Sequence, residues 1–353
     1  MKLLITGGCG FVGSSLALQF KANYPAAEVI AFDNLKRRGS ELNVNRLKLN
    51  GIKFIHGDIR NKEDFDAIGE ITCLIEASAE PSVLAGVNSS PDYLINTNLA
   101  GTINCLNYAR KFNATFVFLS TSRVYPIKTI ERLNYAETAT RFILESKQTV
   151  PGTSERGFSE DFPLAGTRSL YGATKLASEL IIQEYNELYN IKAVIIRCGV
   201  ISGPWQMGKV DQGVVVLWAA NHYWKGKLSY IGYGGEGKQV RDVLHVADLY
   251  DLVDLQLKDI DKVNGEIFNV GGGMDCSASL MELTALCEER SGNKLNIEKI
   301  SQNRPYDLRL YLTDNSKVER ITGWKPKRNL KTIVQEIFDW IEQNNKELIH
   351  ILQ

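Results

Sequence analysis

Tyr171 and Lys175, four positions apart, are residue types that can move a proton to and from a hydroxyl group. On a helix, positions i and i+4 share a face, so the phenol and the ammonium can point into one cleft. An ammonium lowers the pKa of a nearby phenol, and a tyrosinate can take a hydroxyl proton while hydride leaves the same carbon. Such a pair also occurs by chance on surface helices. Upstream, Thr121 or Ser122 could hydrogen-bond the reacting oxygen.

A hydride needs an acceptor, and the N-terminus carries the pattern of a dinucleotide site. The first apolar run leads into Gly7-x-x-Gly10-x-x-Gly13, which opens a helical pattern, and Asp33 follows 20 residues after Gly13. Glycines allow a tight turn and close approach to a pyrophosphate, which the helix N-terminus attracts. A carboxylate at Asp33 accepts ribose hydroxyls and repels a 2′-phosphate, which predicts NAD. Arg37 and Arg38 keep NADP as the alternative.

Along the chain, short apolar runs alternate with amphipathic segments between these candidate site residues. Runs rich in Val, Ile and Phe, apolar on both faces, are typical of parallel strands covered by helices. The alternation predicts an α/β fold with a doubly wound parallel sheet. The predicted strands are Lys2–Thr6, Glu28–Asp33, Ile52–His56, Cys73–Ser78, Thr115–Ser120 and Lys192–Arg197, and the two longest predicted helices are Leu94–Phe112 and Tyr171–Tyr189.

The pattern changes after about residue 198, where glycines and aromatic residues become more frequent. We predict a Rossmann domain over 1–198 with a return segment at about 234–270. A smaller interwoven substrate lobe would comprise 199–233 and 271–353, with helices near 279–291, 315–321 and 330–346. The stretch from Pro126 to Gly166 has little periodicity and predicts a long loop, and such loops are often functional.

The composition excludes several classes of protein. The 353 residues include 41 Lys+Arg and 41 Asp+Glu, with no basic block of the kind that nucleic-acid binding requires. No apolar run approaches the roughly 18–20 residues that span a bilayer, and the short apolar N-terminus does not resemble a signal peptide. The six cysteines lack a CxxC and the four histidines are scattered, so we expect reduced cysteines, no metal site and a cytoplasmic protein.

Taken together, the motifs resemble the extended short-chain dehydrogenase/reductases, and among them the nucleotide-sugar epimerases and dehydratases. The likeness covers essentially the whole chain. It is carried, in order, by TGGCGFVG at 6–13, FDN at 32–34, GDIR at 57–60, NTNLAGT at 96–102, LSTSRVY at 119–125, YGATK at 171–175, GKQVRDVLHVADL at 237–249 and GWKPK at 323–327.

Within that family the chain looks most like the CDP-paratose (CDP-tyvelose) 2-epimerases. Four stretches carry this likeness: 32–43, the insert with 134–142 and 155–164, 203–213, and 304–314. The chain departs from the family at Glu76, where relatives often have His, at Pro126, where Gly is usual, and at Val200 and Ser202. The implied activity is an NAD-dependent C2 epimerase that acts through a transient 2-keto sugar.

The resemblance assigns roles along the chain. Thr121, Tyr171 and Lys175 would form the catalytic triad, and Asn98 would shape the nicotinamide side of the pocket. Asp58 could reach the adenine or could simply cap a turn. The predicted cofactor contacts are Gly7, Gly10, Phe11, Val12, Gly13, Asp33, Asn34, Asp58, Ile59, Ala77, Ala79, Asn98, Tyr171 and Lys175.

The substrate is expected to be a nucleotide-diphosphate sugar, with a CDP-sugar favoured. Arginine matches phosphate oxygens through its fork of donors, and the resemblance places Arg241 and Arg304 near the pyrophosphate or nucleotide ribose. A solvated charge or an ion pair between the lobes is the alternative for each. The predicted substrate contacts are Ser122, Arg123, Gln206, Gln212, Arg241, Arg304 and Asp307, of which Gln206 and Gln212 rest on resemblance alone.

Three alternatives and one partner complete the sequence-based predictions. A 4-epimerase or a 4,6-dehydratase fits the same fold, although a dehydratase commonly has an acidic pair where Ser122 and Arg123 follow Thr121. A non-catalytic NAD-binding regulator is the remaining possibility. Relatives often dimerise through the two long helices, so we expect a homodimer, and neither nucleic acid nor membrane as a partner.

Overall fold

The computed structural model describes residues 1–208 and 212–353 and has a seven-stranded parallel sheet at its centre. The strand order is β7-β6-β5-β4-β1-β2-β3, and every neighbouring pair is parallel. This confirms the doubly wound fold. The strands are β1 Lys2–Thr6, β2 Glu28–Asp33, β3 Lys53–His56, β4 Cys73–Glu76, β5 Thr115–Thr121, β6 Ala193–Cys198 and β7 Ile267–Val270.

Helices cover both faces of this sheet because successive strand residues alternate between two apolar cores. Leu3 belongs to the core beneath the helices Phe11–Asn23 and Val246–Lys258. Leu4 belongs to the core beneath the helices Thr102–Lys111 and Leu170–Tyr189. The α-helices are α1 Phe11–Asn23, α2 Ser40–Leu49, α3 Asp92–Ile95, α4 Thr102–Lys111, α5 Ile127–Glu131, α6 Leu170–Tyr189, α7 Val214–Trp224, α8 Val246–Lys258, α9 Ile260–Val263, α10 Leu280–Ser291, α11 Ser316–Thr322, α12 Leu330–Gln343 and α13 Asn345–Leu352.

A third core lies in the C-terminal half, where α7, α10 and α12 pack together. A small second sheet lies beside it and includes the strand Val240–His245, which precedes α8. The strands outside the central sheet are Tyr135–Glu137, Phe142–Leu144, Thr153–Ser154, Gly157–Phe158, Val200–Ser202, Ser229–Ile231, Val240–His245, Ser277–Ser279, Glu298–Ile300 and Leu310–Tyr311.

The stretch from Pro126 to Gly166 is more ordered than the predicted loop. It contains α5 and two short hairpins, and Phe158 is fully buried against Tyr311, with ring centroids 4.9 Å apart. Arg141 ties the first hairpin to Glu282 at the start of α10 through an Nε–Oε1 bond of 2.8 Å. Contacts with distant residues order this segment, and such contacts leave no local periodicity in the sequence.

The predicted helix Leu94–Phe112 is interrupted by a wider turn. The chain runs from α3 through a π-helical segment, Asn96–Gly101, into α4. Such π turns are rare and often lie at functional sites. Here the π turn contains Asn98, which is 1% exposed and faces the loop after β4. The π turn therefore positions Asn98, the residue that the resemblance assigns to the nicotinamide side of the pocket.

The remaining structural expectations concern cysteines, metals and membranes. All six cysteines are buried and free. In 1–208 and 212–353 no cluster of His, Cys, Asp and Glu is arranged to hold a metal ion. Within the same residues, no helix combines the length and the apolar character needed to cross a bilayer.

Candidate functional site

A cavity of about 820 Å³ opens at the carboxyl ends of the central strands. This is the usual position of ligand sites in doubly wound sheets, and the volume is typical of ligand sites. The structure brings most of the predicted residues to its wall: Gly7, Gly10, Phe11, Val12, Gly13, Asp33, Asn34, Ile59, Ala77, Ala79, Thr121, Ser122, Arg123, Tyr171, Gln206, Gln212, Arg241, Arg304 and Asp307. Asp58, Asn98 and Lys175 are also buried at this end of the sheet, although the cavity wall itself is formed by other side chains.

The glycine loop between β1 and α1 leaves no room for side chains where the chain folds back on itself. Gly7 has φ of +64°, a left-handed conformation that favours glycine. A methyl carbon at Gly13 would lie 2.2 Å from the carbonyl oxygen of Gly7, which is impossible without movement. At Gly10 the same carbon would lie 3.1 Å from that oxygen and otherwise face open space. Gly7 and Gly13 thus shape the loop, whereas Gly10 keeps its outer side clear beside the N-terminus of α1.

Asp33 holds this loop from the end of β2. Its carboxylate accepts the N–H of Cys9 at 3.0 Å and that of Leu35 at 2.7 Å. Burial raises the pKa of Asp33, and the N–H groups of Leu35 and Cys9 only partly oppose this. The same carboxyl group lines the cavity, so it can both fix the glycine loop and receive ribose hydroxyls.

Arg37 and Arg38 follow β2, and because of them NADP remained an alternative cofactor in the sequence analysis. In the structure both contact the C-terminal half of the chain. Arg37 donates to Gln212 and, at 2.7 Å, to the carbonyl of Met207. Arg38 donates to the carbonyl of His350. Both guanidinium groups therefore have protein partners in this structure, and Asp33 stands between them and the glycine loop in sequence.

We expect Asp33→Ala to weaken NAD binding and to reduce the preference for NAD over NADP, because a 2′-phosphate no longer meets a carboxylate. Titration calorimetry with both dinucleotides measures the two affinities. Asp33→Asn is the matched control, since it removes the charge but keeps an oxygen for one N–H bond. It should keep more of the NAD affinity than Asp33→Ala. An unchanged NAD-to-NADP affinity ratio in both variants would remove Asp33 from the site.

Asp58 is bound by protein groups rather than turned to the cavity. Arg60 donates to both of its oxygens, at 2.9 and 2.7 Å, and Asn34 donates at 2.8 Å. Burial raises the pKa of Asp58, but these bonds outweigh it and lower the pKa to about 2. Of the two readings that the sequence left open for Asp58, the contacts favour the structural one. Its effect on a cofactor would pass through Asn34, which does line the cavity.

Two of the predicted catalytic residues, Thr121 and Tyr171, meet where β5 ends and α6 begins. Thr121 is the last residue of β5, and its hydroxyl lies close enough to the phenol of Tyr171, in the first turn of α6, to lower the pKa of that phenol. Ser169 caps the N-terminus of α6, because its hydroxyl accepts the N–H of Gly172. A methyl carbon at Gly172 would lie 2.0 Å from the carbonyl oxygen of Arg123. This close packing of α6 on the turn after β5 fixes Tyr171 against Thr121.

The pKa of Tyr171 is raised in this structure, whereas the sequence led us to expect that the Lys175 ammonium lowers it. Burial raises the pKa of Tyr171 to about 12, and the Thr121 hydrogen bond and the Arg123 guanidinium oppose this rise. Lys175 is 1% exposed, and its Nζ lies 3.7 Å from the centroid of the Phe118 ring. Arg123 is therefore a cation that acts on this phenol and that the YxxxK spacing did not reveal.

Ser122 and Arg123 line the cavity between Tyr171 and the part where we predicted the substrate contacts. Arg123 donates to the carbonyl of Tyr306 at 3.0 Å, and Arg241 and Asp307 act on its charge. Burial and the neighbouring Arg241 lower the pKa of Arg123 to about 10, so it remains a cation at neutral pH. No acidic pair follows Thr121 here.

Arg241 and Asp307 form an ion pair with a 2.9 Å contact. Arg241 also donates to the carbonyl of Leu308 at 2.7 Å and to that of Val240 at 2.8 Å. The alternative that the sequence kept open, an ion pair between segments, is thus present, and it coexists with exposure to the cavity. Arg304 lines the same wall. Three guanidinium groups and one carboxylate therefore surround this end of the cavity.

Gln206 and Gln212 flank residues 209–211, which lie outside the described structure. Gln206 accepts from the Ser202 hydroxyl at 2.9 Å and donates to the carbonyl of Ile201 at 2.9 Å. Gln212 accepts from Arg37, at the cofactor end. The two amides therefore lie at the junction between the cofactor and substrate parts of the cavity, and both line it.

Asn98 acts on the cavity through the loop after β4. Its Oδ1 accepts the N–H of Glu80 at 2.8 Å, and its Nδ2 donates to the carbonyl of Glu80 at 3.0 Å. Its own carbonyl accepts the Ser178 hydroxyl of α6 at 2.8 Å. Asn98 thus joins the π turn, the loop and the catalytic helix.

Comparisons with known proteins agree with this geometry. Residues 3–271 match the model of the NAD dependent epimerase/dehydratase family. The chain belongs to this family. It is 34% identical to CDP-paratose 2-epimerase of Salmonella typhi, over 96% of this chain and 99% of that one. It is 28% identical to dTDP-glucose 4,6-dehydratase of Escherichia coli, over 98% and 95% of the two chains.

Solved structures of family members share the fold over their full lengths. UDP-glucose 4-epimerase of Thermus thermophilus in complex with NAD superposes with a TM-score of 0.77 at 26% identity, covering 97% of this chain and 99% of that one. The dTDP-glucose 4,6-dehydratase of Bacillus anthracis, also with NAD, gives 0.78 at 25% identity and covers both chains completely. The chain is therefore an NAD-dependent enzyme of the nucleotide-sugar epimerase family.

The residues present fit NAD as the cofactor of this family. The glycine loop is closed to side chains at Gly7 and Gly13 but open at Gly10, where a pyrophosphate needs close approach. Asp33 offers carboxylate oxygens to ribose, and α1 presents its N-terminal N–H groups. Bound NAD supplies the hydride acceptor and donor of the reaction.

Sequence reasoning missed several residues of the wall. Trp205, Met207 and Ile351 line the cavity from segments far from the glycine loop, and Ile351 comes from the last helix, α13. These apolar residues gave no signal because nothing in their local pattern distinguishes them from core residues. Glu80, whose side chain accepts the N–H of Ser82 at 3.2 Å, lines the wall next to the departure at Glu76 that the sequence did show.

Proposed function

We propose that this enzyme is a nucleotide-sugar 2-epimerase of the CDP-paratose/CDP-tyvelose type. The observation that carries the epimerase assignment is the contact of Thr121 with Tyr171 at the carboxyl end of β5, in the same cavity as the glycine loop and Asp33. The choice of carbon 2 and of a CDP-sugar is supported by the 34% identity to CDP-paratose 2-epimerase over nearly both full lengths.

In the proposed reaction Tyr171, as tyrosinate, takes the proton of the sugar C2 hydroxyl while the C2 hydride leaves to the cofactor. Thr121 hydrogen-bonds the same oxygen, and Lys175 supports the tyrosinate and the nicotinamide ribose. The resulting 2-keto sugar turns its other face toward the nicotinamide. Hydride then returns to C2 and the proton returns from Tyr171, so no atom is gained or lost and the configuration at C2 is inverted.

The substrate side supports a firmly held nucleotide and a mobile sugar. The guanidinium groups of Arg241 and Arg304 suit diphosphate oxygens, and Asp307 suits nucleotide ribose hydroxyls. Ser122, Arg123, Gln206 and Gln212 are proposed to contact the sugar or nucleotide. Because Arg241 and Asp307 already form an ion pair, this part of the site is ordered before substrate arrives, which reduces the entropic cost of binding.

The alternatives within the family are a 4-epimerase and a 4,6-dehydratase. Relatives with these names are 26–28% identical to this chain, over equally long alignments. Elimination of water requires a group that protonates the departing hydroxyl, for which carboxylic acids are suited. Ser122 and Arg123 occupy the two positions after Thr121, and neither is such an acid. This disfavours the dehydratase.

The test is to incubate the purified protein with CDP-, GDP- and UDP-sugars and to identify the products by NMR. We expect the protein to interconvert the C2 epimers of a CDP-sugar. We also expect NAD to copurify with the protein and the reaction to produce no net NADH. Steady NADH release would make the enzyme a dehydrogenase. Inversion at C4, or an unsaturated or 6-deoxy-4-keto product, would replace the proposal with one of the two alternatives.

We also propose that the enzyme is a cytoplasmic homodimer that pairs through the surface of α3–α4 and α6. Leu180 and Leu188 of α6 are 58% and 68% exposed, although they are apolar. Their burial against a second copy would explain that exposure. Sedimentation analysis of Leu180→Glu, which should be monomeric, tests the dimer.

We also propose a division into two domains, with residues 1–198 and 234–270 binding NAD and residues 199–233 and 271–353 binding the substrate. The separate apolar core around α7, α10 and α12 supports this division.

A further inference from the structure

Glu76 is the last residue of β4 and is completely buried. One carboxyl oxygen lies 2.6 Å from the Thr102 hydroxyl of α4, and the other has no hydrogen-bond partner among the described residues. A buried carboxyl oxygen without a partner is costly, so an arrangement of this kind calls for an explanation. The cofactor site and the sugar contacts described above leave Glu76 without a role.

The neighbours of Glu76 connect it to the catalytic lysine. In the sheet, Glu76 is paired with Phe118 of β5 on one side and with Thr6 of β1 on the other. The Nζ of Lys175 lies over the Phe118 ring, 3.7 Å from its centroid. The ammonium therefore lies above the strand next to Glu76, and both groups are shielded from solvent. Charges in such surroundings interact more strongly than in water.

A second carboxylate near Lys175, that of Glu179, is already engaged. Arg197 binds it through two nitrogens, at 3.1 and 2.7 Å, and the Ser120 hydroxyl donates to it at 2.5 Å. Among the residues that the structure describes, Glu76 has no such arginine partner. Besides each other, the charged and titratable groups that act on this pair are Glu179 and the thiols of Cys105 and Cys198, and Arg197 acts in turn on Glu179.

We propose that Glu76 is a positioning residue for the reaction: its carboxylate is the counter-ion of Lys175 and keeps that side chain charged beneath Tyr171. This inference rests on the proposed function only for its effect on turnover. The charge coupling between the two side chains belongs to the protein without substrate. It also assigns a role to the residue at position 76, where this chain has Glu and relatives often have His.

The titration of the two groups is consistent with this role. Burial raises the pKa of Glu76 to about 7, and the charge of Lys175 opposes the rise. Burial lowers the pKa of Lys175 to about 8, and the charge of Glu76 is the foremost effect that opposes the fall, ahead of Glu179. Removing the carboxylate should therefore lower the pKa of Lys175 further. The ammonium would then be lost at a lower pH, and with it the stabilisation of the tyrosinate.

The first experiment needs no sugar. Infrared difference spectra of wild type minus Glu76→Gln isolate the C=O stretch of the protonated Glu76 carboxylic acid across a pH titration. In a Lys175→Met background the same band should persist to higher pH, because no ammonium then favours the carboxylate. An identical titration midpoint with and without Lys175 would overturn the proposal, whatever the substrate of the enzyme proves to be.

The second experiment follows the pH dependence of kcat with the sugar identified by NMR. In Glu76→Gln the alkaline limb of the pH profile of kcat should move to a pH about one unit lower. At a fixed pH on that limb, kcat should then be about tenfold lower, because a change of one pKa unit changes the charged fraction tenfold. KM should change little, and Glu76→Asp should restore most of the wild-type profile. Glu160→Gln is the matched control: it removes a different carboxylate, which is partly buried and accepts the N–H of Asn269, and it should leave the profile in place. An unshifted alkaline limb in a folded Glu76→Gln protein would contradict the proposal.

Discussion

Tyr171→Phe is expected to lower kcat by at least roughly 10²–10⁴-fold, the usual contribution of a positioned general acid–base group. The phenylalanine ring fills the same place at the start of α6, but no oxygen remains to take the proton of the sugar hydroxyl. The Thr121 hydroxyl then has no phenol beside it, and hydride transfer would have to form an unsupported protonated ketone. Steady-state kinetics of epimerisation, followed by NMR, measure the loss.

Binding of NAD should survive this substitution, because the glycine loop and Asp33 lie on other strands. Tyr185→Phe is the matched control: it removes a hydroxyl from the same helix, where the phenol contacts Asn107 at 3.0 Å outside the cavity. It should retain nearly the full rate. A Tyr171→Phe enzyme that keeps wild-type turnover would require another base and would remove Tyr171 from the mechanism.

Gly13→Ala is expected to abolish detectable NAD binding and to destabilise the protein. The added methyl carbon would meet the carbonyl oxygen of Gly7 at 2.2 Å, within a loop fixed between β1 and α1. Backbone atoms cannot swing aside as a side chain can, so the loop must open. Overpacking of this kind costs about 1–3 kcal/mol or more. Thermal unfolding with and without NAD measures both effects.

Gly10→Ala separates the fold of the loop from its function. Its methyl carbon would lie 3.1 Å from the same oxygen, and the φ of Gly10, −70°, is ordinary for any residue. We expect a nearly unchanged melting temperature without NAD but a smaller stabilisation by added NAD, because the methyl group faces the cofactor. If Gly13→Ala bound NAD as tightly as wild type, the glycine loop would not be the cofactor site.

The sequence predicted the sheet well because its strands are marked locally. Lys2–Thr6 and Glu28–Asp33 have the predicted bounds, and the other four predicted strands differ at their ends by one or two residues. Strand β7, Ile267–Val270, was not predicted, since four residues before a run of glycines carry too weak a pattern. The order inside 126–166 was also not predicted, because it depends on contacts such as that of Phe158 with Tyr311.

For the candidate site, types and spacing predicted the positions but not the electrostatics. Tyr171 and Thr121 meet as the motifs indicated. The pKa of Tyr171 is nevertheless raised by burial, and the cation that acts on the phenol is Arg123, which the spacing did not indicate. Burial and the distance between side chains on different strands are properties of the folded chain, so no local spacing encodes them. Glu76 illustrates the same limit: the sequence marked it as unusual, and only the fold places it by Lys175.

A deuterium label at C2 of the CDP-sugar distinguishes hydride shuttling at C2 from proton abstraction. We expect the deuterium to stay at C2 in the epimerised product. We also expect the label to slow turnover if hydride transfer limits the rate. Loss of the C2 label to water would mean proton abstraction rather than hydride transfer, and a slowing that appears only with a C4 label would show that the enzyme is a 4-epimerase.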